Sequence, residues 1–357
     1  MGRASAEGGR WHEAFAAYRT AQRFQAGFAN AIYGEGQVLL MLRDYPTGWA
    51  KHESRWSVSY LRESPRHGDL PAWDGSSLTG RRILVWDEQG VGDKIMFAKA
   101  VPTLLEQSGN CVLEVEPRLV SLFARSFPTA EAVVSSQNPG DLVSRRGFDA
   151  QTSIGSLCRW LLPDPADAVF ERGYLRPDQA LADQLREHYR ESFGGRPLIG
   201  VSWRGGTGKK KRMRSIPLRD LAPILRQRDC AFISLQHGNC AAEIAELHAG
   251  TGIAMHLDNS INALADLDRF AAQTAAMDLV ITIDNSTAHM AGALGVSVWV
   301  MLPVVPEWRW QLDRDDSPWY QSARLFRQKA RGDWTPAIQR IAADLRQFRP
   351  AQHGVAQ

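Results

Sequence analysis

Residues 277–303 (MDLVITIDNSTAHMAGALGVSVWVMLP) constrain the fold more than any other part of this chain. An apolar β-type run over 279–283 empties into Asp284-Asn285-Ser286-Thr287. A helix of small residues follows over 288–294, then Gly295, then a second apolar run over 296–302. Strand, polar loop, helix, strand is the repeating unit of a parallel sheet with crossovers. The same stretch sets hydroxyls, an amide and His289 at a helix N-terminus, where unpaired N–H groups and the helix dipole favour an anion.

The alternation extends well beyond this segment. Strands are expected at 83–86, 111–115, 133–134 and 148–154, with helices over 93–107 and 117–126. A second series restarts at 197–203 and continues through 231–235 and 253–257 into the segment above. Two such series suggest two doubly wound domains facing each other, over 81–190 and 191–335, with ligands beyond the carboxyl ends of their strands. Residues 62–80 (RESPRHGDLPAWDGSSLTG) read as a linker, rich in Gly, Pro, Ser and charge. A last helix over 336–348, within a tail running to 357, is expected to cross back onto the first of the two domains.

Residues 1–61 are helical in pattern and contain a repeat. Gly9-Arg10-Trp11-His12-Glu13-Ala14-Phe15-Ala16-Ala17 aligns with Arg43-Asp44-Tyr45-Pro46-Thr47-Gly48-Trp49-Ala50-Lys51 at an offset of 34. That is the period of tetratricopeptide helix pairs, of which a free-standing array needs roughly three. The segment has room for about one and a half. It is therefore expected to pack on the next domain or to continue an array; a plain helical hairpin is the other reading.

At 357 residues the chain has length for two domains and an appendage. A net charge of +3 argues for neither nucleic acid nor a membrane surface. Cys111, Cys158, Cys230 and Cys240 lie far apart with no C-x-x-C, so no zinc site or disulfide framework is suggested. They read as reduced, buried thiols of a cytoplasmic protein. No apolar run approaches the ~20 residues of a membrane span. Twelve tryptophans are unusual, and five of them fall between Trp299 and Trp334. Tryptophan supplies flat walls for sugar rings and bases as well as core.

Three loops could carry chemistry. The first strand ends in Asp87-Glu88-Gln89-Gly90-Val91-Gly92-Asp93-Lys94, where Gly90 and Gly92 allow a tight turn and Asp93 opens a helix. Asp93 is either an N-cap or a carboxylate placed to take a proton from a hydroxyl. A helix N-terminus lowers its pKa, so basicity requires desolvation. The run Gly205–Ser215, with Lys209, Lys210, Lys211 and Arg212, joins Gly-rich backbone to cations just after a strand. With the 285–289 helix start it forms a pair of anion-friendly features suggesting a pyrophosphate. Gln236 and His237 end another strand of that sheet and could meet a base or ribose. Trp308 and Arg309 lie in a proline-fixed loop that could line a sugar or acceptor pocket.

Taken in order, DEQGVGDKIMFAKAVP (87–102), 201–217, 234–238, 278–303 and WRWQLDRDDSPWY (308–320) resemble bacterial tetratricopeptide-repeat glycosyltransferases. Their catalytic part is similar to the ADP-heptose:lipopolysaccharide heptosyltransferases of glycosyltransferase family 9. The resemblance implies an α/β GT-B fold: two facing Rossmann-like domains preceded by a short all-helical tetratricopeptide-like segment. It implies inverting transfer without a metal or other cofactor. Asp93 matches the G-x-G-D aspartate proposed as the base. Asn285, Ser286, Thr287 and His289 match a D-[TS]-x-x-x-H helix start that contacts the phosphates. The basic run would stabilise the leaving diphosphate. Asp-Asn-Ser stands here where those enzymes commonly show Asp-Thr-Gly, which leaves the donor sugar and nucleotide open.

The expectation is thus a cytoplasmic glycosyltransferase, or one peripheral at the inner face of the cytoplasmic membrane. It would take a nucleotide-diphosphate sugar, act on a glycan or protein hydroxyl, and meet a protein partner through its helical repeats. No nucleic-acid partner and no transmembrane segment are expected. Two alternatives are an epimerase-type enzyme of the same fold and a non-catalytic scaffold that binds a partner protein.

Overall fold

The computed structural model describes residues 1–58, 60–61, 64–135, 147–205 and 213–350. They form two compact units. The first comprises Met1–Val169 with Val305–Trp319; the second comprises Phe170–Val304 and the chain from Tyr320 onward.

The first unit begins with helices α1 (Gly2–Glu7), α2 (Trp11–Phe24), α3 (Ala29–Met41) and α4 (Tyr45–His52), then a 3-10 turn over Glu53–Ser57. Helices α2 and α4 start 34 residues apart. Asp44 caps α4 by accepting from Thr47 N–H at 3.3 Å. Gly48 lets α4 approach α3, since a Cβ there would lie 2.8 Å from the Leu40 side chain.

Strands β1 (Ile83–Trp86), β2 (Cys111–Val115), β3 (Glu131–Val134) and β4 (Ala150–Ser153) follow, all parallel, in the order β3-β2-β1-β4. β1 and β2 are buried along their whole length. That explains the apolar run of β1 and of β2, which is interrupted only by the buried Glu114, because parallel strands are covered on both faces. The helix expected over 93–107 is broken into α5 (Val91–Phe97), a 3-10 turn (Ala98–Ala100) and α6 (Val101–Gln107). Pro102 has no N–H to continue the ladder, and α6 restarts with it in the first turn. Helix α7 (Val120–Ser126) lies between β2 and β3, and α8 (Leu157–Leu161) comes after β4.

The second unit holds a five-stranded parallel sheet in the order β6-β5-β7-β8-β9. Its strands are β5 (Leu198–Ser202), β6 (Ala231–Ser234), β7 (Leu279–Ile283), β8 (Val298–Leu302) and β9 (Ala323–Arg327). The expected strand at 253–257 is reduced to one bridge, Ile233 with His256. A left-handed cap at Gly252 and an Asp258-Asn259-Ser260 turn leave little extended chain between them. Strand β9 has no counterpart among the sequence expectations; its Ala-Arg-Leu-Phe-Arg reads as neither a clean alternation nor an apolar run.

Helix α9 (Gln179–Ser192) was expected in the first domain and belongs to the second unit. Its Arg186 bonds Asp278 at 2.9 Å and the Ala275 carbonyl at 2.9 Å, and Tyr189 donates to Asp258 at 2.6 Å. The last helix, α14 (Thr335–Gln347), is numbered after α10 (Ala222–Leu225), α11 (Ala241–Thr251), α12 (Leu267–Ala275) and α13 (Ser286–Ala293). It belongs to the second unit. Ile338, Ile341, Ala342 and Leu345 share the second sheet's core with Trp299 and Phe326. All four cysteines are buried free thiols, and among the described residues no helix is long and apolar enough to cross a membrane.

Candidate functional site

In the first unit the chain leaves β1 at a heavily pinned position. Asp87 accepts from Arg66, from Lys94 Nζ at 2.7 Å and from the Glu116 N–H at 2.8 Å. Gln89 adopts φ 61°, turning the backbone toward Gly90, which is the N-cap of α5. Asp93 is therefore not the cap the sequence suggested but the third helical residue. It reaches back to accept from the Gly90 N–H at 3.3 Å through Oδ2, one half of a capping box.

The other oxygen, Oδ1, is held by Arg309 Nη2 in a short charge-assisted bond. Arg309 comes from the 3-10 turn Trp308–Trp310, with its guanidinium 5.2 Å from the Trp308 ring centroid. Trp308 is buried beside Trp49 and Trp319, so its ring anchors this loop. Gly90 and Gly92 belong to the Asp93 turn and Trp308 to the Arg309 turn, and the structure brings these turns together.

The Asp93 side chain is 23% exposed. Desolvation pushes its carboxyl above the usual aspartate range, Arg309 opposes that, and Glu307 and Glu88 add to the rise. Arg309 orients the carboxylate, and burial makes it more basic than a solvated one. Oδ2, with only a long bond from Gly90, keeps capacity to accept a further proton donor.

In the second unit the strand order reverses between β5 and β7, the place where open parallel sheets take ligands. Asn285 caps α13 there. Its Oδ1 accepts from Thr287 N–H at 3.0 Å and Ala288 N–H at 3.4 Å, and its Nδ2 donates to Ser202 Oγ at 2.8 Å. Both ends of this side chain are used within the fold, where Asn285 fixes the helix start. Gln236 is likewise engaged. It accepts from the N–H groups of Trp203 at 2.9 Å and Arg204 at 2.7 Å, tying the ends of β5 and β6 together.

Ser286 is half-buried at the first helical position. Thr287 is 1% exposed, and its hydroxyl has no hydrogen-bond partner among the described residues. His289 is buried, with Nδ1 2.7 Å from the Tyr320 hydroxyl. His237 lies half-buried after Gln236. Lys209, Lys210, Lys211 and Arg212 fall outside the described residues.

Arg214 belongs to the Gly205–Ser215 run read from the sequence, although it was not singled out there. Its Nη1 bonds Asp284 Oδ2 at 2.6 Å, bringing a cation to the carboxyl end of β7. Arg309 as partner of Asp93 was missed, because 216 positions separate them. Among the described residues no group of three or more His, Cys, Asp or Glu is arranged to hold a metal ion.

No family model matches the chain. Protein FlbA of Caulobacter vibrioides is 32% identical over 331 residues, which cover 88% of this chain and 55% of that protein. The chain thus spans about half the length of this curated relative. Two solved structures are similar. The ADP-heptose lipopolysaccharide heptosyltransferase II of E. coli has a TM-score of 0.53 at 15% identity, covering 74% of this chain and 98% of that one. The glycosyl transferase family 9 structure from Veillonella parvula has a TM-score of 0.51 at 11% identity, covering 71% and 87%. The fold is the one these transferases share. At such identities the likeness concerns the fold and leaves the chemistry to the residues.

Proposed function

We infer that this chain is an inverting glycosyltransferase that moves a sugar from a nucleotide-diphosphate donor to a hydroxyl of a glycan or protein. The observation that carries this reading is Asp93: a half-buried carboxylate of raised pKa, beyond the carboxyl end of β1, with one oxygen fixed by Arg309 and the other able to accept.

In this reading Asp93 Oδ2 takes the proton of the acceptor hydroxyl as that oxygen bonds to the anomeric carbon of the donor. The bond from that carbon to the phosphate oxygen breaks, and the leaving diphosphate takes its electron pair. The α13 N-terminus, with the Ser286 and Thr287 hydroxyls and the Arg214 cation, receives the developing charge. Lys209–Arg212 are further candidates for that role. These groups would do what a divalent cation does in other transferases. The similarity to family 9 structures supports the donor class, since one of them is described as an ADP-heptose enzyme.

Titration calorimetry with ADP, UDP, GDP and dTDP, followed by transfer assays with the matching sugar donors, tests the reading. Asp93→Ala should retain diphosphate affinity and lose on the order of 10²–10⁴ in transfer rate. Near-normal transfer by Asp93→Ala would refute the base assignment. Absence of binding by every diphosphate would favour the scaffold.

A further inference from the structure

In the first sheet the strand order reverses between β1 and β4. That position, where a doubly wound sheet ordinarily admits a ligand, is filled from within the chain. Arg55, in the 3-10 turn after α4, is 1% exposed. Its Nε and Nη2 fork onto Glu88 Oε2 and Oε1 at 2.8 Å each. Nη2 also donates to Ser153 Oγ at 2.9 Å and Ser156 Oγ at 2.7 Å, and Nη1 to Glu53 Oε1 at 2.7 Å. Glu88 follows β1 by two positions and Ser153 ends β4, so one guanidinium joins both strand ends.

A buried ion pair roughly breaks even against apolar packing; its attested benefit is a fixed geometry. Here the fixed object is the turn that carries Asp93. Glu88 is anchored by Arg55, by the Gly155 N–H at 3.1 Å and by Gln89 Nε2 at 3.2 Å, and only four residues separate it from Asp93. The same helical segment also holds the loop of Arg309. The Tyr45 hydroxyl accepts from Gln311 Nε2, and the Trp49 ring meets Trp308 edge-on with centroids 5.5 Å apart. Residues 45–55 therefore grip both halves of the Asp93–Arg309 pair.

We propose that Arg55 is a positioning residue for Asp93, and that residues 45–57 are an internal part of the transfer site rather than an adaptor appended to it. The proposal rests on Asp93 being the base. Its test uses the full chain, comparing wild type, Arg55→Met, Arg55→Lys and Asp93→Ala. Three quantities are read: release of diphosphate from the sugar donors named above, diphosphate affinity, and deuterium uptake of the peptide spanning 88–97.

Arg55→Met should lower kcat at least about tenfold, since misplacement of a reacting group by ~1 Å costs up to 10² in rate. It should leave diphosphate affinity within about twofold and raise uptake across 88–97, with Arg55→Lys restoring part of both changes. Normal kcat, or unchanged uptake, in Arg55→Met overturns the proposal. Full transfer by Asp93→Ala overturns the base reading instead, while the uptake data still report on Arg55. If Arg55→Met does not fold, Ser156→Ala removes a single acceptor and carries the same test. A smaller rise in uptake with lower kcat supports the proposal, and no change overturns it.

Discussion

Gly155→Ala would strike the Arg55–Glu88 joint from the side. A Cβ at this position would stand 2.3 Å from Glu88 Oε1 and 3.2 Å from the Phe97 ring. To restore an ordinary contact the carboxylate must retreat by about 1.1 Å. That movement breaks the Gly155 N–H bond at 3.1 Å and displaces the carboxylate from its present fork with Arg55. Losing a hydrogen bond to a buried charge costs about 1.5–3 kcal/mol, and overpacking adds about 1–3 kcal/mol. A total of about 2.5–6 kcal/mol is expected, or roughly 5–24 °C in Tm at about 2–4 °C per kcal/mol for a unit of this size. Thermal unfolding followed by calorimetry measures it. Gly109→Ala serves as control, because its Cβ would enter open space. A Gly155→Ala protein melting within about 1 °C of wild type would refute the close-approach argument, since even 1 kcal/mol should move Tm by ~2 °C.

Two further outcomes follow from the sites. Arg309 lowers the Asp93 pKa against burial, so Arg309→Gln should move the acid limb of the pH–rate profile to higher pH, because the base must be ionised to act. An unmoved or lowered limb would separate Arg309 from the titrating group. Thr287→Val removes a buried hydroxyl that has no partner among the described residues, so the ligand-free protein should be unchanged or slightly more stable. Diphosphate affinity should fall by at least about threefold in calorimetry, as expected for a lost hydrogen bond of ~1 kcal/mol; equal affinity would remove Thr287 from the anion site.

Most of the strands were legible because buried parallel strands are written as apolar runs, and β1, β2, β5, β7 and β8 are of that kind. β9 was not, since its arginines interrupt the pattern. The helix start at 285–289 was legible as local chemistry, but not the division of labour within it. Contacts across the sheet, to Ser202 and the Arg204 carbonyl, reveal that Asn285 spends its amide on the fold. The break at Pro102 could have been read from proline alone. Contacts between distant positions, Asp93 with Arg309 and Arg55 with Glu88, leave no periodic trace in a single sequence. The helical segment looked like a separate repeat because its period is local, whereas its attachment depends on one arginine and a few aromatic rings.

Residues 305–319 belong to the first unit although the chain enters them from β8 and leaves them into β9 of the second. Neither unit is therefore a continuous stretch of gene. A graft that exchanges the second unit by a single cut near residue 170 would also import a foreign Trp308–Arg309 turn, and with it a foreign counter-ion for Asp93. A chimera that exchanges the second unit needs three junctions, so that 305–319 remains with its own Trp49 and Tyr45. For this chain, replacing the second unit and replacing the partner of Asp93 become one genetic event unless residues 305–319 are deliberately kept.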